Sequence, residues 1–321
     1  MLDEKITIPI DQLANCVLPM FAITPSAEWH GVGTGFVIGR LDERSAVVVT
    51  AAHNLQGLER LLHRRPRSHA STLSEFGAPP SPTWRELGVD LVFLVRGKTG
   101  AAVATVVRDA LLLEHDLAVV QVTLPANGET TFEMALPVDL NPQLTAATHV
   151  AAIGYAGLSA TSTQDFDRKE FRATAVFPLT SRDGRVLRLV APAEGIHRGR
   201  FGAMVDIPFD GGMSGGPVIE LRGSTPVVRA LVSADVSENS AIGAEGSGAY
   251  AFASLLLPIA GLRLHGTTTS FLDQTEIKDP SVLELIGKGV VKHSGDVEPV
   301  RVVDADGKVT VTWSAAFPID L

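Results

Sequence analysis

A serine hydroxyl attacks a carbonyl only when a neighbouring base takes its proton. The sequence carries one serine in an unusual backbone setting, Gly211-Gly212-Met213-Ser214-Gly215-Gly216-Pro217. Glycines on both sides of Ser214 let backbone N–H groups converge on one point, where the negative oxygen of a tetrahedral intermediate would form. A base is offered by Val47-Val48-Val49-Thr50-Ala51-Ala52-His53, an apolar strand that ends in small residues and leaves the imidazole room to move. A carboxylate is offered by Glu114-His115-Asp116-Leu117-Ala118-Val119-Val120, where Asp116 directly precedes an apolar run. Burying a carboxylate there is costly without a partner. A histidine N–H is a suitable one, because the carboxylate then fixes the imidazole tautomer and stabilises its charged form. His115 is a rival base, but as the neighbour of Asp116 in an extended strand it would face the opposite side. Taken singly, two of the strings also have a plain structural reading: a tight turn for Ser214, a satisfied structural histidine for His53. His30, His63, His69, His149, His197 and His293 are read as structural.

The elements that must position these residues are short strands. Phe36-Val37-Ile38, Ala46 to Val49, Leu91 to Val95 and Leu117 to Val122 lead the first half of the chain. Val150 to Ile153, Val186 to Val190, Pro217-Val218-Ile219 and Val227 to Val232 lead the second. They are rich in Val and Ile, and Gly, Pro, Asn or Asp bounds most of them, which points to a sandwich or barrel. Leu58 to Trp84, with its Arg/His cluster followed by Ser, Pro and Gly, reads as a surface insertion. Turn signals at Asn127-Gly128 and Asn141-Pro142 place a domain boundary near residues 125–143. Past His265, Asp279-Pro280 predicts the cap and first position of a short helix, Ser281 to Gly287. Asp304-Ala305-Asp306-Gly307 predicts a hairpin between Val300–Val303 and Val309–Trp313. The expected organisation is an N-terminal unit over residues 1–135, a second over 136–265 and a small extension over 266–321.

Taken together, the three chemical strings resemble the trypsin-like serine proteases of the chymotrypsin fold, which carry His, Asp and Ser in this chain order. The resemblance rests on Thr50-Ala51-Ala52-His53, His115-Asp116-Leu117-Ala118 and Gly212-Met213-Ser214-Gly215-Gly216-Pro217, with Gly33-Thr34-Gly35-Phe36-Val37-Ile38 upstream. It spans roughly residues 15 to 262. It implies an all-β protein of two six-stranded Greek-key barrels, here with a small C-terminal α/β appendage. His53, Asp116 and Ser214 would be the triad of a serine endopeptidase. Gly212 and Ser214 would donate the oxyanion-hole N–H groups. Ser233 matches the strand that binds the substrate backbone, Gly248 the strand that closes the specificity pocket, and Pro208 the pocket floor. Asp235 would stand at the pocket mouth. Pro208 offers no charge for a basic side chain, so a small or medium apolar residue is expected before the scissile bond. One departure stands out. Trypsin-type zymogens switch on when a new N-terminal amine pairs with an Asp just before the catalytic Ser, and this chain has Met213 there, which cannot form an ion pair. That and the lack of cysteine pairs bring the chain nearer to bacterial, disulfide-free members such as the HtrA type, without room for their PDZ domain.

The bulk numbers narrow the remaining classes. The chain has 321 residues, 45% hydrophobic and 20% charged, enough for about two domains at ~150 residues each. A net charge of -9 argues against generic nucleic-acid binding. Arg60, Arg64, Arg65 and Arg67 are read as a solvated loop. The one cysteine, Cys16, excludes an intrachain disulfide, which favours a cytoplasmic address. Cys16 lies in an apolar run and reads as a small buried hydrophobe. A signal-peptide pattern and an apolar run of membrane-spanning length are not expected from the sequence. Gly97-Lys98-Thr99 lacks the earlier glycine of a phosphate-binding loop. No zinc or calcium spacing is present, so neither a cofactor nor a catalytic metal is expected. The expected partners are a protein or peptide substrate and a regulatory protein acting at the insertion or the tail, with no nucleic acid and no membrane. Two rival readings remain: a catalytically silent trypsin-like binding module, and an esterase of the α/β-hydrolase type. The second would use Gly212-Met213-Ser214-Gly215-Gly216 as its elbow, followed by Asp235 and His265. It lacks the alternating helices that fold needs and leaves His53 and Asp116 without roles.

Overall fold

The valine-rich runs form strands that curl into barrels. The computed structural model describes residues 13–56, 58–62, 83–97, 100–140, 144–165, 170–190, 202–220, 226–235, 251–269, 276–294, 300–303 and 309–312. The first barrel is built from β1 (Val17–Ile23), β2 (Trp29–Arg40), β3 (Ser45–Thr50), β4 (Asp90–Arg96), β5 (Ala101–Leu112) and β6 (Leu117–Thr123). It closes in the order β1-β2-β3-β6-β5-β4, with β1 returning to β4 through Met20 opposite Phe93. After β7 (His149–Tyr155), the strands β8 (Ser159–Asp165) and β9 (Glu170–Val176) form a separate hairpin. The second barrel then continues with β10 (Leu179–Val190), β11 (Gly202–Val205), β12 (Pro217–Glu220), β13 (Val227–Asp235) and β14 (Ala251–Leu255). Its order is β10-β11-β14-β13-β12-β7. Counted within each barrel, the third strand lies beside the sixth in both, so the two barrels repeat one antiparallel Greek-key topology, the chymotrypsin-like arrangement expected above.

All six residues of β3 are buried, as are most of β1 and β6. This is why these strands read as continuous apolar runs rather than as alternating ones. Phe21, Phe36, Phe93 and Phe252 are fully buried, each worth roughly 1.5–3 kcal/mol of apolar burial. The β8–β9 hairpin has no counterpart in the sequence reading. Its base, Leu158 and Phe177, and its Ala160 and Ala175 pack on Phe21, Val92, Leu94 and Trp29, so an extension of the second barrel lies across the first.

The segment between the barrels is packed, not loose. Phe132, Leu136, Val138 and Leu140 are buried. Arg229 of β13 pairs with Asp139 there and, at 2.8 Å, with Glu220 of β12. The C-terminal residues join the same seam. Lys292 N–H donates to Ile38 O, Val138 N–H to Lys292 O and Ser294 N–H to Val138 O. Val282, Leu285, Val290 and Val291 are buried in the core that includes the first barrel. Residues 281–294 of the C-terminal appendage therefore strap β2 to the inter-barrel segment.

The predicted helix is present at Val282–Gly287, but its cap is Ser281, not Asp279. Ser281 Oγ accepts from Glu284 N–H and the Glu284 carboxylate accepts from Ser281 N–H, a reciprocal capping box. Asp279 is left-handed (φ 46°) and its Oδ1 accepts from Gly266 N–H instead. The predicted C-terminal hairpin is found, as β17 (Val300–Val303) with β18 (Val309–Thr312). A further small hairpin, β15 (Thr267–Thr269) with β16 (Glu276–Lys278), precedes the helix. Of the insertion at 58–84, residues 63–82 lie outside the described residues; Leu58 and Trp84 at its two ends are buried.

Candidate active site

The end of β3 turns sharply. Ala52–Asn54 form a single 3-10 turn that lifts His53 out of the barrel wall, leaving its side chain 37% exposed. Asp116 ends a second 3-10 turn, Leu113–His115, just before β6. Because β3 pairs with β6 through Thr50 and Ala118, the two turns sit side by side at one barrel edge. Asp116 is 3% exposed and left-handed (φ 55°), a conformation that asparagine and aspartate tolerate better than most residues. Its carboxylate accepts from His53 Nδ1 at 2.9 and 3.0 Å and from His53 N–H at 3.0 Å. Ser233 of β13 donates its hydroxyl to Asp116 Oδ2. With Nδ1 engaged, Nε2 is the ring nitrogen left to face a nucleophile. The turn also corrects the reading of His115, which lies in the 3-10 turn and not in an extended strand. Burial holds its imidazole below the ordinary histidine range.

Ser214 lies in the loop before β12. In that loop Met213 N–H donates to Asp210 O, Gly215 N–H to Val232 O and Gly216 N–H to Met213 O. Among the described residues, as with those of Ile207, Phe209, Asp210 and Gly211 earlier in the loop, the amides of Gly212 and Ser214 on either side of Met213 make no hydrogen bond within the protein. Their orientation has a cause. The Gly211 carbonyl accepts from Gly157 N–H at 3.0 Å, and the Met213 carbonyl from Gly216 N–H at 2.9 Å. In a trans peptide the N–H points opposite to the C=O, so these two bonds turn the next amides, Gly212 and Ser214, the other way. Gly215 is left-handed (φ 87°), and a Cβ on it would lie 2.1 Å from Thr34 O. The glycine after Ser214 thus lets the loop press against the first barrel. Met213 is fully buried among Ile207, Phe209, Val218 and Val232, an apolar anchor where an aspartate would need a cation. Among the described residues, Ser214 Oγ and His53 Nε2 are not hydrogen-bonded to each other. In sites of this type that bond often tightens only with substrate.

This constellation spans two barrels of one topology, and the comparison with known families follows the same residues. The chain matches the trypsin-like peptidase domain over residues 33–227, a stretch that contains His53, Asp116 and Ser214. It belongs to that family. No curated protein sequence matches it. Among solved structures, it is similar to the Rv3671c protease of M. tuberculosis in its active form, at 16% identity and TM-score 0.43, covering 90% of this chain and 86% of that one. It is also similar to the MamO protease domain of Magnetospirillum magneticum, at 11% identity and TM-score 0.43 over 77% and 95% of the two chains. The thermostable serine protease AL20 of an extremophilic microorganism shows 15% identity and TM-score 0.41 over 77% and 93%.

The other residues expected of this peptidase domain are placed as follows. Pro208 is exposed between buried Ile207 and Phe209. Ser233 is buried, and its hydroxyl serves Asp116. Asp235 ends β13 opposite Ala251. Gly248 lies outside the described residues. Cys16 is fully buried, its thiol pushed up to about 12 by burial, which suits packing and not nucleophilic work. Among the described residues no cluster of His, Cys, Asp and Glu could hold a metal, and no helix is long and apolar enough to cross a membrane. The sequence reading did not assign the hydroxyl of Ser233 to Asp116, nor Gly157 to the Gly211 carbonyl. Both links join residues distant in the chain, and neither leaves a local pattern.

Proposed function

We propose that this trypsin-like peptidase is a serine endopeptidase that works through an acyl-enzyme. Ser214 Oγ attacks a peptide carbonyl, His53 Nε2 takes its proton, and Asp116 holds the opposite ring nitrogen. The developing oxyanion is received by the amides of Gly212 and Ser214. His53 then protonates the leaving amine, and water releases the acyl group by the same route in reverse. The observation that carries the reading is the His53–Asp116 pair with Nε2 left over, beside the amides of Gly212 and Ser214, which are unbonded among the described residues and are turned by the bonds that hold the Gly211 and Met213 carbonyls. Substrate is a protein or peptide. Met213 as an apolar anchor supports activity that does not wait for cleavage of a new N-terminus.

The test is labelling with a fluorophosphonate, read by intact mass, on the wild type and Ser214→Ala. A single adduct on the wild type that disappears in the variant is expected, together with a loss of turnover of about 10⁶-fold. A folded wild type that takes no label would overturn the enzyme reading in favour of a binding module.

A further inference from the structure

We propose that Asn54 and Thr34 form a clamp from the first barrel that positions the nucleophile loop of the second, a role that rests on the peptidase reading above. Asn54 follows His53 in the same 3-10 turn, so one turn carries both the base and a hold on the loop that carries the nucleophile. Asn54 Nδ2 donates to the Ser214 carbonyl at 2.9 Å and to Thr50 Oγ1 at 3.0 Å. The same Ser214 carbonyl accepts from Thr34 N–H at 2.8 Å. Thr34 Oγ1 donates to the Gly212 carbonyl at 2.7 Å while accepting from Tyr155 N–H at 3.0 Å. Thr50 Oγ1 closes the set by donating to Thr34 O at 2.6 Å.

With these bonds, all four carbonyls from Gly211 to Ser214 are engaged. Gly211 and Met213 are held within the second barrel, Gly212 and Ser214 by the first. Each engaged carbonyl fixes a peptide plane, so the loop has no free plane with which to turn its amides away from the oxyanion position. The amide of Asn54 is also costly where it stands. Asn54 is 2% exposed, and its Oδ1 is buried without a partner among the described residues. A leucine of similar shape would avoid that cost, so the asparagine is explained by its donors and not by packing. Gly33 makes room for it: a Cβ there would lie 2.2 Å from Asn54 Nδ2. The clamp sets the distance between His53 Nε2 and Ser214 Oγ across the barrel seam, where a misplacement of about 1 Å can cost on the order of 100-fold in rate.

Asn54→Ala removes the side-chain donors. Thr34→Val removes the hydroxyl at nearly constant volume and serves if the first variant fails to fold. Thr34→Ser keeps the hydroxyl. Two readouts are taken on the full chain: fluorophosphonate labelling with ester kcat and KM, and hydrogen exchange of the Gly215 and Gly216 amides. We expect Asn54→Ala and Thr34→Val to label about 10- to 100-fold more slowly with KM little changed. Their two loop amides should exchange several-fold faster, and Thr34→Ser should recover most of both. Folded variants with wild-type labelling and wild-type exchange would overturn the clamp. A wild type that does not label would sink the peptidase reading alone. Exchange then still decides the clamp, faster in the variants supporting it and unchanged refuting it.

Discussion

Met213 stands where the resemblance to zymogen-type proteases would place an aspartate, and one substitution tests what its surroundings accept. Met213 is fully buried in an apolar cluster with Ile207, Phe209, Val218 and Val232. The backbone of β7 presses on it closely enough that a Cβ on Gly154 would lie 2.9 Å from Met213 Cα. An aspartate at this position would have neither water nor a cation, and burial of that kind raises a carboxyl pKa by up to about 3–5 units. Both Met213→Asp and Met213→Asn lose the methionine packing, worth about 2–5 kcal/mol in large-to-small core changes. Only the aspartate titrates. Its folded-state pKa lies above its unfolded value of about 3.9, so its stability is fully present below that value and is lost as pH rises through the folded pKa. The gap between the two variants should open above about pH 4 at close to 1.4 kcal/mol per unit, reaching about 4 kcal/mol for a three-unit shift. Urea unfolding of both variants and the wild type between pH 4.5 and 8 measures this gap. Parallel curves for the Asp and Asn variants across that range would refute the sealed apolar anchor and show that a cation or water reaches position 213.

Two further outcomes follow from the same geometry. Ser233→Ala removes a hydroxyl that donates to the buried Asp116 carboxylate, a charge-assisted bond of about 1.5–3 kcal/mol. Turnover should fall roughly 10-fold or more with KM little changed, measured on a small ester, and an unchanged kcat would remove Ser233 from the site. Deleting residues 281–321 exposes the surface under Val282, Leu285, Val290 and Val291. At roughly 1.5–3 kcal/mol each as an upper estimate, that loss rivals the whole stability of a typical domain. The truncated chain should unfold or aggregate, and circular dichroism with a wild-type melting temperature would show the tail to be an accessory.

Much of the fold and of the candidate site is legible in the sequence because it is local. The runs at 46–49, 91–95 and 117–120 are apolar throughout since their strands are buried on both faces, and Gly, Pro, Asn and Asp at their ends mark the turns. His53, Asp116 and Ser214 stand out because their three strings lie beside strands and occur together in the order His, Asp, Ser. Other readings failed locally too: Asp279-Pro280 looked like a helix cap, but Ser281 wins because its partner Glu284 completes a two-way bond that Asp279 would not form. What the sequence could not decide lies across the barrel seam. Thr34 meets Gly212 from 178 positions away, Asn54 meets Ser214 from 160, and Ser233 meets Asp116 from 117. The docking of the C-terminal appendage on Ile38 and Val138 likewise shows only once β2 and the inter-barrel segment are folded. A strand's period or a glycine run is written in neighbouring residues, whereas the direction of a carbonyl and the donor that holds it are set only when two closed barrels bring distant turns together.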